Sequence, residues 1–342
     1  MHAAHHKAQP TAPAQTRRMG HVWRAATSLM FGACVLSAGL AHAVYPDRPI
    51  ALVASFPPAG ATDILARAIG QKMSESLGQP VVVENRPGAA GMIGLAHAAR
   101  AAPDGYTIYL AAVTNAAIAA AAYPAQAVSL LTDMVTVSGV GAVPHMLVVP
   151  VSLPVQNVSQ LIAYIKASPG KYNFASQGAG TLSHLESEVF KARAGLDLVH
   201  VPYKGSSQAL PDLIAGTATM MFDSIPASMP QVKAGKLRVL AVASGKRVSL
   251  LPDVPTVDES GVKGFEANNV FGISAPKGTP PAVLAVLAKS IEAALASADL
   301  RQRMEAQGVE LKFTPADVFS RVVEQEFQNW GNAVRAAKIK LE

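Results

Sequence analysis

Residues 56–63, Phe-Pro-Pro-Ala-Gly-Ala-Thr-Asp, carry the pattern in this chain that comes nearest to binding chemistry. A short apolar run at 50–54 precedes them, and Ile64, Leu65, Ala68, Ile69 and Met73 follow at helical spacing. The segment reads as strand, tight loop and helix, with Thr62 or Asp63 near the first turn. A helix start leaves backbone N–H groups unpaired and carries the positive end of the helix dipole, and both favour an anion. The lysine and Ser/Thr pair of a nucleotide-binding loop is missing. The expected guest is a small carboxylate held among Phe56, Ala59, Gly60, Ala61, Thr62 and Asp63. Most turns of this kind bind nothing, so the loop alone is a weak signal.

A second turn, Ser-Gln-Gly-Ala-Gly-Thr at 176–181, has the same strand-to-helix setting. Gly178 and Gly180 let backbone approach a ligand closely, and Ser176 and Thr181 add hydroxyls. Gly178-x-Gly180 looks superficially like a dinucleotide fingerprint, but Ser183 stands where the third glycine belongs. Thr114 and Asn115, just past a strand, are candidates for ligand contact or for an ordinary helix cap. The same choice holds for Asp223, which ends a strand and would accept from a ligand amine or water. Lys204 would meet a distal carboxylate, although a solvated lysine is the commoner outcome. His184 and Glu188 share a helix face four residues apart. Without a third ligand they read as a pair capping the loop, not a metal site. Ser176, His184 and Asp223 would serve a hydrolase only with an activated nucleophile, and no Gly-x-Ser-x-Gly elbow surrounds a serine. Asn85-Arg86-Pro87-Gly88 reads as an architectural turn, with Arg86 paired to a carboxylate such as Asp104.

Elements that position these residues begin after an export signal. Arg17, Arg18 and Arg24 precede an apolar stretch at 25–40 that ends in Ala41-His42-Ala43, the pattern of a leader cleaved after Ala43. That stretch is short for a membrane span. Met19 offers a second start with a leader of ordinary length, so 1–43 reads as extension plus signal peptide. Only the arginine pair of a twin-arginine signal is present, which favours Sec export, and Phe31 departs from a lipoprotein box before Cys34. Cleavage removes Lys7, Arg17, Arg18 and Arg24 but no acidic residue, and the net charge falls from +6 to +2. The mature chain has no basic cluster for nucleic acid and no cysteine for a disulfide or thiolate metal site. Its histidines, His97, His145, His184 and His200, are scattered. No cofactor or metal is implied.

A mature chain of about 300 residues exceeds what one compact core usually holds, which points to two lobes. Strands are expected at 81–83, 107–113, 172–176, 198–201, 219–222 and 238–243, and helices at 92–100, 158–167, 182–194 and 207–215. Pro211 is placed near the first turn of the last of these. Thr314-Pro315-Ala316-Asp317 reads as the cap and first turn of a final helix through about residue 336. The apolar stretches 108–122 and 134–151 contain Thr114, Asn115, Pro144 and His145, and read as buried strands and helices instead of membrane spans. The result is an α/β protein of mainly parallel sheets, with ligands at the carboxyl ends of strands.

Further segments, in order, are Tyr45-Pro46-Asp47-Arg48-Pro49-Ile50, the 56–63 loop, Val83-Glu84-Asn85-Arg86-Pro87-Gly88 and Pro103-Asp104-Gly105-Tyr106-Thr107. They continue with Ser183-His184-Leu185, Pro202-Tyr203-Lys204-Gly205-Ser206, Met221-Phe222-Asp223 and Leu251-Pro252-Asp253-Val254-Pro255-Thr256. This series resembles the substrate-binding proteins of tripartite tricarboxylate transporters, the Bug family of extracytoplasmic solute receptors. The resemblance implies a periplasmic binding protein of type II-like fold, with two α/β lobes, a hinge of crossing strands and a ligand cleft between them. It implies one lobe from 44–147 and 271–342 and a second from 148–270. It also implies a non-catalytic periplasmic monomer that captures a mono- or dicarboxylate, amino acid or aromatic acid. The partner is a membrane permease or, alternatively, a sensor kinase. In that frame the 56–63 and 176–181 turns face each other and hold a carboxylate by N–H groups, hydroxyls and bridging water. The chain departs from the family pattern at Ala59, where glycine is usual, at Ala90 and Met92, and in alanine-rich 116–122. The Cβ of Ala59 is expected to narrow the pocket or restrict the backbone.

Overall fold

The computed structural model describes residues 45–125 and 127–336, and the export signal expected at 1–43 lies outside them. Successive side chains of the central strands point to opposite faces, so that one strand feeds two cores. In β1 (Ile50–Ala54), Ile50, Leu52 and Ala54 enter one cluster and Val53 another. In β3 (Thr107–Ala112), Ile108 and Leu110 join the first cluster, Tyr109 and Ala111 the second. Strands buried on both faces need helices on both. The helix α1 (Ala61–Leu77) supplies Leu65, Ile69 and Met73 to one face, and α2 (Met92–Ala99) supplies Leu95 to the other.

The first sheet runs β2 (Val81–Asn85), β1, β3, β9 (Asn268–Pro276) and β4 (Met134–Pro150), with β10 (Glu310–Pro315) on β4. The second runs β6 (Leu198–Pro202), β5 (Tyr172–Ser176), β7 (Met220–Ser224) and β4, with β8 (Leu237–Val242) also on β4. Leu147 and Val149 point into one core of this sheet, Met146 and Val148 into the other. The remaining helices are α3 (Val113–Ala122), α4 (Val158–Lys166), α5 (Leu182–Ala194), α6 (Ser206–Ile214), α7 (Ile225–Lys233), α8 (Pro281–Ala296), α9 (Ala298–Glu305) and α10 (Ala316–Ala336). No helix among the described residues is long and apolar enough to cross a membrane.

One strand belongs to both sheets. Residues 134–144 of β4 pair antiparallel with β9, whereas from His145 to Pro150 it pairs with β7 and β8. The change of partner falls at Pro144, which has no N–H to give to a ladder. Side chains at this crossing therefore stand between the sheets.

Several expectations shift. Parallel pairing is confined to β1 with β2 and β3, and β5 with β6 and β7, because the crossing strands β4 and β9 run antiparallel to their neighbours. Thr314 and Pro315 end β10, opposite Gly139 and Ser138, so strand pairing delays the final helix to Ala316. Pro211 lies in the second turn of α6, not its first. The helix expected after Asp223 is α7, whose bounds Pro226 and Pro230 obscured.

A candidate ligand site where the two sheets meet

The helix α1 starts at Gly60, which has no side chain to cap the first N–H groups. Asp63 folds back instead. Its Oδ2 accepts from the Ala59 N–H at 3.0 Å, and Arg67 and Asn85 donate to the same carboxylate. Burial pushes its pKa up, but these three donors outweigh burial and hold it below the usual carboxylate value. Asp63 thus shapes the loop. The N–H groups of Ala61 and Thr62 lie in the first turn, where a helix offers no internal acceptor. Both residues line a cavity together with Phe56, Pro57 and Gly60.

Ala59 is exposed, with φ at 65°, and it lies outside the cavity lining. Its Cβ does not narrow the pocket; it strains the backbone. An L-residue in the left-handed region costs about 1–2 kcal/mol, partly offset by the extra freedom glycine has when unfolded. Ala59→Gly is expected to raise stability by about 0.5–1 kcal/mol, read as a higher urea midpoint at unchanged slope. An unmoved midpoint would show that the loop carries no strain there.

The opposite wall hangs from Asp223, at the end of β7 and fully buried. It accepts from Gln177 Nε2 at 2.7 Å, from Ser206 Oγ at 2.6 Å and from the Ser228 hydroxyl. Gln177 and Ser206 line the cavity beside Gly205. Ser206 opens α6, so the helix start that shares the cavity with α1 is that of α6. The 176–181 turn was expected to bring the start of α5 there. That start is occupied within the protein: the Leu182 N–H donates to Asn115 Oδ1 at 2.8 Å, and Thr181 Oγ1 donates to the Gly178 carbonyl. Ser176 Oγ takes the Gly178 N–H and shares a 2.7 Å hydrogen bond with His200 Nε2. Ser176, Gly178, Gly180, Thr181, His184 and Asp223 lie outside the lining, and of these Asp223 holds the lining residues Gln177 and Ser206 directly.

Neighbouring Thr114 and Asn115 diverge. Thr114 bonds the Asn268 carbonyl, the Val270 N–H and Glu326, bracing β9, while Asn115 lines the cavity. Lys204 is exposed to solvent. Arg86 pairs with Glu84 at 2.9 Å, because residues two apart on an extended strand share a side, and Asp104 pairs with Arg48 instead.

Two lining residues carried no weight in the sequence. His145 sits where β4 changes sheets, and Asn269 lies on β9 opposite Val143. Each is buried and, among the described residues, retains an atom without a hydrogen-bond partner, His145 Nε2 and Asn269 Oδ1. Nδ1 of His145 lies 2.7 Å from Glu186 Oε2. The signal available was a histidine inside a long apolar strand, which must find a polar partner when buried. Glu186 was obscured because α5 is buried over its first six residues, so facing positions could not be told from spacing.

Behind the lining, His184 and His200 stack at 3.9 Å between ring centroids. His184 Nδ1 accepts from the Gly180 N–H at 3.3 Å, so it caps the loop. Burial depresses both rings, to about 3 for His184, with help from His200 and Lys191, and to about 4 for His200, with help from Lys191.

The cavity volume is about 20 Å³, room for one or two waters. A larger groove of about 440 Å³ lies among α5, residues 264–270 and α10. Its Glu326 is already held by Thr114 and Trp330, and neither the α1 nor the α6 start lines it. The smaller cavity is the better candidate, since two helix starts and two unpartnered polar atoms converge on it.

The model of the tripartite tricarboxylate transporter family receptors matches residues 65–339 of this chain. Protein BugT of Bordetella pertussis is 37% identical over 318 residues, covering 92% of this chain and 98% of BugT. Among solved structures, Rpa4515 of R. palustris with adipate superposes with a TM-score of 0.83 at 34% identity, covering 86% of this chain and 99% of its own. MatC of Rhodopseudomonas palustris with bound malate gives 0.80 at 30% identity, covering 85% and 100%. The chain therefore belongs to the tripartite tricarboxylate transporter receptor family, the Bug solute receptors, and has their two-lobed α/β periplasmic-binding-protein fold.

Proposed function

We propose that this chain is a non-catalytic periplasmic receptor that captures a small carboxylate and delivers it to the membrane permease of a tripartite tricarboxylate-type transporter. On this reading the chain passes from one lobe to the other between 147 and 148 and returns between 270 and 271. The exported location rests on the leader pattern at 1–43 together with the family. The observation that carries the reading is the nearly shut cavity between the sheets, lined by the α1 start on one side and the α6 start on the other. Helix starts favour an anion, and the lining holds no lysine or arginine among the described residues. Adipate in Rpa4515 and malate in MatC support a carboxylate as the guest. A space of about 20 Å³ admits no such acid, so the lobes part to take it in and close around it.

Thermal unfolding with adipate, malate, aspartate and benzoate tests this. At a hundredfold excess over Kd, a bound acid adds about 2.7 kcal/mol. That corresponds to a rise of roughly 5 °C or more in Tm for a chain of this size. An unchanged Tm with all four acids overturns the reading.

A further inference from the structure

Among the described residues the cavity lining contains no lysine, arginine, aspartate or glutamate, and its titratable side chain is His145. That ring is fixed: Nδ1 lies 2.7 Å from Glu186 Oε2, with side-chain exposures of 0% and 1%. The other ring nitrogen, Nε2, is buried without a partner, as is Oδ1 of Asn269, a residue 4% exposed that lines the same space. A buried polar atom left unpaired carries a full desolvation penalty. Two of them at one small cavity mark where polar atoms of a guest belong.

With two protons on the pair, one lies in the 2.7 Å contact between Nδ1 and Oε2, and the other sits on Nε2 or on Glu186 Oε1, which also lacks a partner among the described residues. A proton on Nε2 makes it a donor to a guest carboxylate, and a carboxylate at Nε2 favours that form; a proton on Oε1, or loss of one proton from the pair, leaves Nε2 an acceptor. The groups acting on His145 are Glu186 of α5 and Asp223 of β7. Burial works against the charge on His145, but Glu186 and then Asp223 outweigh it and raise its pKa; burial raises that of Glu186. Both directions keep the second proton on the pair.

On the receptor reading above, we propose that His145 is a ligand-binding residue whose Nε2–H donates to a carboxylate oxygen of the guest, with Glu186 as the positioning residue that fixes ring and proton. The inner end of the site is then matched to one carboxylate head. A second carboxylate there would face Glu186 and Asp223 with no further cation in the lining, so the rest of the acid extends toward Phe56, Pro57 and Ala61.

Imidazole ¹⁵N spectra of the wild type, and calorimetry with adipate, malate, aspartate and benzoate on wild type, His145→Gln and Glu186→Gln, test this. At pH 7 the Nε2 of His145 is expected to read as protonated and to shift on binding, while Nδ1 moves less. His145→Gln should weaken the tightest of the four acids by about 10- to 100-fold. Glu186→Gln lets the ring become neutral with Nδ1–H facing the amide, so binding should be weak at pH 8 and recover toward pH 6. Wild-type affinity in both variants overturns the proposal and leaves the receptor reading intact, whereas silence of the wild type toward all four acids overturns both. An unprotonated Nε2 at pH 7, free and liganded, overturns the proposal even if His145→Gln fails to fold.

Discussion

Gly205→Ala is expected to weaken carboxylate binding by about 10- to 100-fold while the free protein remains folded. Gly205 has φ at 134°, and a Cβ built on it would stand 2.9 Å from Pro57 Cδ and 3.0 Å from Cγ. Pro57 belongs to the α1 side of the cavity and Gly205 to the α6 side. The added methyl therefore acts as a wedge in the closed form. Overpacking of this kind costs about 1–3 kcal/mol, which falls on the liganded state and converts to the affinity loss given. Backbone strain is a separate cost, shared by open and closed forms. Calorimetry on Gly205→Ala, Pro57→Ala and the double variant separates the two, because removing the Pro57 ring relieves the clash alone. Recovery of affinity in the double variant is the expected result. Equal affinities in wild type and Gly205→Ala would mean that the two loops do not meet in the bound state.

Acid should unfold this protein through its stacked histidines. In the unfolded chain, His184 and His200 take up protons near pH 6.5; in the native state they do so only near 3 and 4. Between those limits the unfolded state binds more protons, so stability falls as pH drops from about 7 to about 3 and then levels. His184 is buried, whereas His200 is partly solvated and the two rings act on each other. Their joint contribution is discounted accordingly, to about 2–3 kcal/mol. Protonation would also turn the His184 Nδ1 acceptor into a donor facing the Gly180 N–H, loosening the 176–181 turn. Asp63 acts lower: its depressed carboxyl contributes stability above the ordinary value of 3.8 and loses it only below that. His145 has the opposite sign, since its raised pKa gives stability that is complete below 6.5 and fades as pH rises through the folded value. Urea midpoints at fixed ionic strength should therefore decline from about pH 6.5 to pH 4, where the His145 contribution is complete. His200→Gln keeps a hydrogen-bonding group for the Ser176 hydroxyl and should flatten the decline. A wild-type midpoint that does not move between pH 7 and pH 5 would dispose of this account.

Features that depend on neighbours along the chain were legible before any fold was known. The 56–63 turn reads as a helix start because its glycine and the spacing of Leu65, Ile69 and Met73 act within a few residues. The span of α5 over Leu182–Ala194 was legible for the same reason. Whether a helix start is free to bind anything is a different matter. Asn115, 67 residues away, occupies the N–H of Leu182, and Asp223, 46 residues from Gln177, holds the wall that meets the cavity. Asp63, read as a ligand contact, is bound by Ala59, Arg67 and Asn85. His145 and Glu186 meet across 41 residues because a strand changes sheets beside a buried helix. Unpaired N–H groups follow from local helix geometry, but their availability depends on which distant side chains fold onto them, and only the tertiary structure decides that.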